Sequence, residues 1–592
     1  MLDRNNGPTG TELLAMTGPE AEQALSVLSF ETQLACILQV PWKERMSVIM
    51  QSPAARELVQ ALPAEEVFWM IKQRGIEDSL PVIARTTHEQ FQYLIDIDCW
   101  HREQLVPDAC LAWYRVLGRC NQAKVLEWFE QADDCLLVSA FKQFLHVHKI
   151  EEESDISEEY DAMPPCTIDG INYLRFSSED AQLLLLPLLQ VLHSHDVGRF
   201  QSLIEGIIWD SRVEAEDEAL HWRQNRTAEK GFPTFDEAIG LYGPLSEQEL
   251  QQFEPELPDV MQRTSAHRPS GLRVRYAVAG DRLPAFLHAT LGFHEDSLRL
   301  DEFEQLLVTT ANKVMVADCM EVRDLDDVRR ALRKTSGCIS IALERFSSGD
   351  PAAAATLLAR HHPQQLFRYG AHMVGALAAR MRRHPGRIWT GTASRFTCFY
   401  GSPLADAGLG LVRSRPLFYE GLVSPGSSLY RDFESCADID AAASAVDRLI
   451  AADCLLFECA GLDFTVLEAA YVNSGTISDP AEITMPALLS TLLIAHTLEL
   501  DARVPLLSSD DLRMFAERMS NSARADMAAG FELFFRQACT WAREKLAPLT
   551  GDTGVVEELI RDCLAPVADV LALLSSSSPD LRHVSAVFVK PV

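Results

Sequence analysis

Four groups of residues in this chain have the types and spacing that chemistry uses. Asp96 and Asp98 stand two apart, with Trp100 and His101 beside them. Carboxylate oxygens suit a hard cation such as magnesium, which makes the pair a candidate divalent-cation site. Positions i and i+2 of a helix face different sides, so a further ligand would have to come from elsewhere. The competing reading makes one aspartate a helix cap and Trp100 a core residue. His146 with His148, and His193 with His195 and Asp196, form H-x-H pairs. These chelate zinc where a strand puts i and i+2 on one face, and diverge in a helix. Both pairs fall on stretches of helical periodicity, where solvated or capping histidines are expected. His361-His362 before Pro363 is a third histidine pair. Arg380, Arg382, Arg383, His384 and Arg387, with Trp389 nearby, form the dense basic cluster of the chain. It is a candidate anion-binding site, open also to an acidic protein surface or to phosphates, against internal pairing with carboxylates. Arg323, Arg329, Arg330, Arg333 and Lys334 alternate with Asp324, Asp326 and Asp327, as on a solvated helix face of mixed charge.

No G-x-x-x-x-G-K-[ST], G-x-G-x-x-G, H-E-x-x-H or G-x-S-x-G occurs, so no nucleotide cradle, zinc protease or nucleophile elbow is announced. The stretch Thr390 to Ser394 reads as a helix-to-loop junction. No catalytic residue is named, and an active site could arise only from distant segments.

The elements that must position these residues are helical. Leu137, Ala140, Phe141, Phe144 and Leu145 form one apolar stripe, as do Phe200, Leu203, Ile204, Ile207 and Ile208. Phe303 to Val314 and Val556 to Leu574 repeat the pattern, the latter with a kink or break expected at Pro566. Strand signals are few: Leu272, Val274, Tyr276 and Val278 alternate, and 584–589 is a second candidate. The expected fold is all-α: an N-terminal superhelical stack of short helices, a larger helical C-terminal region, and at most a small sheet. The expected divisions are a flexible tail over 1–28, a repeat-like helical domain over 29–150, an acidic linker over 151–175, a helical segment over 176–245 and a helical region over 246–592. The linker rests on seven acids among residues 151–161 and the prolines Pro164 and Pro165.

A chain of 592 residues with 85 acidic and 53 basic side chains has a formal net charge of −32. That field repels phosphate backbones and anionic lipid, so general nucleic-acid binding is not expected. The 14 cysteines form no C-x-x-C pair, and buried thiols of a reducing compartment are the reading that follows. The N-terminus lacks an apolar signal region. The run Leu183 to Leu192 is about half the ~20 residues that a spanning helix needs. A cytoplasmic protein without membrane insertion is expected.

Over 32–148, Pro41, Pro53, Pro63, Pro81 and Pro107 each precede a polar first turn and an apolar run. Short units of this kind bury their apolar faces by stacking. Ala61-Leu62-Pro63-Ala64-Glu65-Glu66 and the helix after it resemble the repeats in the helical N-terminal domain of MgtE-type magnesium transporters. The resemblance implies magnesium as the one conceivable cofactor, in sensing rather than transport, because the pore helices are missing. The whole chain also resembles an uncharacterised family of bacterial soluble proteins of unknown function, through the segments Gln90 to Trp100, Phe235 to Tyr242 and Leu366 to Gly370. The functional expectation is a non-catalytic interaction or regulatory scaffold with a protein partner. Magnesium sensing and an enzyme with a distributed site in 246–592 are the alternatives.

Overall fold

The computed structural model describes residues 9–149, 164, 166–245, 248–249, 283–293, 297–383, 393–500, 503–522, 527–550, 554–576 and 585–590. The fold is mainly α, with small antiparallel sheets of two or three strands, the first formed by β1 (Trp100–His101) and β2 (Gln104–Leu105). Among the described residues, no helix is long and apolar enough to cross a membrane.

The proline-led units fold as short helices. Pro41 and Pro63 are the N-caps of Trp42–Ile49 and Ala64–Arg74, and Pro107 opens Pro107–Leu117. Each of these positions tolerates a missing N–H and a fixed φ. The helices stack, as expected of units too short to cover themselves, and bury Val67, Phe68, Ile71, Phe91, Trp113 and Trp128 in one core.

Two expected boundaries are corrected. The tail over 1–28 contains the helices Gly10–Ala15 and Gly18–Val27, with Leu13, Ala21 and Leu25 buried. Gly10, Gly18 and Pro19 sit at helix starts rather than in loose chain: Thr9–Glu12 and Thr17–Glu20 form capping boxes. The acidic run 151–161 lies outside the described residues, but the chain on its two sides returns to one sheet. β3 (Leu145–Lys149) pairs antiparallel with β5 (Asn172–Phe176), and β5 with β4 (Cys166–Thr167), in the order β3-β5-β4. The next helices, Glu179–His195, Val197–Trp209 and Arg212–Glu229, place Leu185, Leu189, Phe200, Ile204 and Ala219 in the N-terminal core. One packed unit therefore runs through both sides of the expected linker.

The helix that was expected to reach Leu145 ends at Lys142, and Leu145 begins β3 instead. The expected strand over 272–278 lies outside the described residues. In the 584–589 segment a single parallel bridge joins Val589 to Leu507, over buried Ala586, Val587 and Phe588. Val556–Ser576 continues as helix through Pro566.

Two further cores follow. One gathers Leu241, Leu287, Phe303, Leu307 and Phe367; the other gathers helices from 393 onward with Phe588. The long helices Leu325–Ser347 and Pro363–Arg383 belong to both. Cys338 and Phe367 face the smaller core, while Ile341, Val374 and Met381 face the larger. One glycine lets these helices come so close, and a second lets Phe433, outside both, pack on the first of them. A Cβ on Gly370 would stand 2.0 Å from Cys338 O, and one on Gly337 2.2 Å from Phe433 O. Real Cβ atoms do not approach that closely, so glycine is required at both contacts. The crossing leaves a hollow beside it, where the site lies.

Candidate anion-binding cavity

The sequence candidates separate once folded. Asp96 and Asp98 are buried on His88–Asp98 and are engaged by different cations. Arg226 forks onto Asp96, Nε to Oδ2 at 2.7 Å and Nη2 to Oδ1 at 2.9 Å, while Gln92 Nε2 donates to Oδ1 at 2.9 Å. Asp98 accepts from Lys72 Nζ at 2.7 Å and from Trp113 Nε1 at 3.0 Å. The two carboxylates tie the helix to its neighbours and do not converge on a common point. Among the described residues, no group of three or more His, Cys, Asp or Glu side chains is arranged to hold a metal ion.

His146 and His148 lie on β3 rather than on a helix, sharing an exposed face opposite Arg175 and Tyr173. His193 packs edge-on against Phe200, and His195 Nδ1 lies 3.1 Å from Ser194 Oγ. At the start of Pro363–Arg383, His362 Nδ1 accepts from the Gln364 amide at 3.1 Å, and burial lowers the pKa of His361.

The basic cluster divides. Arg380 pairs with Asp447. Arg382 and Arg383 instead line a cavity of about 490 Å³, and Arg387 lies outside the described residues. Arg382 Nη2 donates to Arg413 O at 2.7 Å. Helix geometry makes the division: successive side chains step about 100° around the axis, so Arg380 and Arg382 face different neighbours.

The cavity follows Pro363–Arg383, with Ala371, Gly375, Ala376 and Ala379 forming a smooth floor. Lys334 and Cys338 come from Leu325–Ser347. Ser414, Arg415 and Pro416 come from the strap after Leu404–Val412, which continues into the hairpin of β6 (Phe418–Tyr419) and β7 (Tyr430–Arg431). Asp432 and Phe433 follow β7, and Tyr242 arrives from the turn Gly240–Tyr242. Lys334 corrects the reading of a solvated helix face: its side chain is 11% exposed and its Nζ lies 2.5 Å from Asp318 Oδ2.

Asp318, 1% exposed, is the polar centre beneath the cavity. Its Oδ1 also accepts from Tyr242 OH at 2.8 Å and Arg415 Nε at 2.7 Å. The Tyr242 ring has Lys334 Nζ at 5.0 Å and Arg415 Cζ at 5.1 Å from its centre, within cation–π range. Burial, then the Asp318 charge, pushes the Tyr242 hydroxyl far up, and burial pushes the Cys338 thiol up to about 12. Both stay protonated at neutral pH. Burial also raises the Asp432 carboxyl, partly offset by Lys334 and Arg330.

Lys334, Arg382, Arg383 and Arg415 are four cations against the two carboxylates Asp318 and Asp432. The site therefore carries more positive than negative charge, in a chain of net charge −32. Only the arginine cluster was legible beforehand as a site. Tyr242, Asp318, Lys334, Arg415 and Asp432 carry no mutual spacing that a motif could register.

Residues 22–590 match a family described as "Family of unknown function (DUF6178)". The chain belongs to this family. The match covers nearly the whole sequence, the cavity included, and does not carry the likeness of residues 32–148 to magnesium transporters. No curated protein and no solved structure matches the chain.

Proposed function

We propose that this protein binds a small organic anion in the cavity beside Pro363–Arg383. The observation that carries the reading is Arg382 and Arg383 lining an apolar-floored hollow of ligand size, while Arg380, two residues away, is paired with Asp447. Cavities of roughly 300–1,000 Å³ with a mostly apolar lining and a few polar groups are what small ligands use. Lys334 and Arg415 are turned onto Asp318, so the uncompensated charge belongs to the two arginines. This reading takes up the alternative of a site assembled from distant segments, as a binding site. The neutral Cys338 and Tyr242 are not set as nucleophiles, since a thiolate or phenolate is what attacks.

Octanoate, a carboxylate on an apolar chain, is a suitable probe by isothermal titration. Charge-assisted hydrogen bonds contribute about 1.5–3 kcal/mol each. The double variant Arg382→Glu/Arg383→Glu should therefore bind octanoate at least about tenfold more weakly. Both side chains are exposed, so the fold should survive the exchange. Equal affinity in the two proteins would remove the assignment.

A further inference from the structure

We infer that the ligand is an elongated, two-ended molecule, anionic where it meets Arg382 and Arg383 and bearing an ammonium or hydroxyl where it meets Asp432. The inference rests on the anion reading above and adds the class of ligand to it.

The positions along Pro363–Arg383 separate the two ends. Gly370 is packed on Cys338, and Gly337 on Phe433. Lys334, Cys338, Asp432 and Phe433 therefore stand over the part of the helix near Ala371 and Val374. Arg382 and Arg383 lie eight residues beyond Val374 and Gly375, roughly 12 Å further at 1.5 Å per residue. The hydrogen bond from Arg382 to Arg413 O ties the strap down at that end. Between the ends the lining is Gly375, Ala376, Ala379 and Pro416, which offers no charge to a ligand's middle.

The charges divide in the same way. At the crossing end cations and carboxylates face one another, Lys334 and Arg415 on Asp318 and Arg330 beside Asp432, whereas no carboxylate among the described residues pairs with Arg382 or Arg383. Asp432 is 11% exposed, and its ion-pair contact among the described residues is Arg330 Nε at 3.9 Å, longer than a hydrogen bond. A largely enclosed carboxylate with acceptor capacity left over favours a donor. Burial also lifts its pKa, as expected of a charge short of donors. A ligand ammonium or hydroxyl supplies what the protein leaves out.

The probes are 8-aminooctanoate, whose charged ends stand on the order of 10 Å apart when extended, and octanoate, which lacks the second end. By isothermal titration, the wild-type protein should bind 8-aminooctanoate about tenfold or more tightly than octanoate. Asp432→Asn should erase that preference; with a negative charge removed from the cavity, octanoate should bind at least as tightly as to wild type, and a cooperative melting transition shows that the variant is folded. Equal binding of the two probes by wild type, or a preference that survives Asp432→Asn, would overturn the two-ended ligand and leave the anion site standing. If octanoate itself does not bind, the anion reading falls and this inference with it. Should Asp432→Asn fail to fold, the wild-type comparison alone decides.

Discussion

Asp318→Ala should lower the melting midpoint of the unit that holds the cavity by on the order of 10 °C, from a loss of about 3–5 kcal/mol. Asp318 is buried and receives Tyr242, Lys334 and Arg415 on its two oxygens. Removing it strands the Lys334 ammonium, whose side chain is 11% exposed, and leaves the Tyr242 hydroxyl without its acceptor. Breaking one side of a buried pair costs more than the pair contributes, because the remaining charge stays desolvated. Asp318→Leu combined with Lys334→Met should recover much of the loss, by replacing the pair with apolar volume. Differential scanning calorimetry of the three proteins checks this. A midpoint for Asp318→Ala within a degree or two of wild type would mean that Asp318 is not the anchor described.

A second large loss is expected at the other end of the chain. The Arg45 side chain is fully buried, and Glu66 is nearly so. Arg45 donates to Glu66, and also to Leu38 O and Val40 O at 3.1 Å each, while Trp42 Nε1 donates to Glu66 at 2.7 Å. The pair joins Trp42–Ile49 to Ala64–Arg74, two of the proline-led units that stack. Glu66→Ala leaves a guanidinium in the core and should cost about 3–5 kcal/mol. Glu66→Gln, which keeps an acceptor oxygen, should cost less. Trp42 and Trp69 stack at 5.9 Å, so tryptophan fluorescence during urea unfolding reports this region. An unchanged midpoint in Glu66→Ala would show that the stack does not depend on the pair.

The proline-led units were legible because their signals are local: a fixed φ, acids in the first turn, then an apolar run. The sheet around β3 was not legible. Leu145 continues the helical spacing of Leu137, Ala140 and Phe141, and the partner that makes it a strand is β5, beyond the acidic run. Periodicity reports a residue's neighbours on its own element and is silent on such distant partners. For the same reason the arginine cluster was visible, but the division of Arg380 from Arg382 and Arg383 was not. That depends on which helix faces meet Asp447 and the strap. Lys334 looked like one more charge on a solvated face, because Asp318, Tyr242 and Arg415 reach it only through the fold. The aspartates Asp96 and Asp98 drew notice by type and spacing, yet Arg226 and Lys72, which engage them, come from separate helices.

Gly375 provides the most direct test of the cavity. It sits inside a helix, where glycine costs about 1 kcal/mol relative to alanine, and a Cβ there would meet nothing within 4 Å. Gly375→Leu should therefore fold at least as well as wild type while filling the floor of the hollow. Millimolar octanoate should raise the melting midpoint of wild type, since a ligand of the folded state alone must do so, and should leave that of Gly375→Leu where it is. An equal rise in both proteins would place the anion elsewhere and contradict the account.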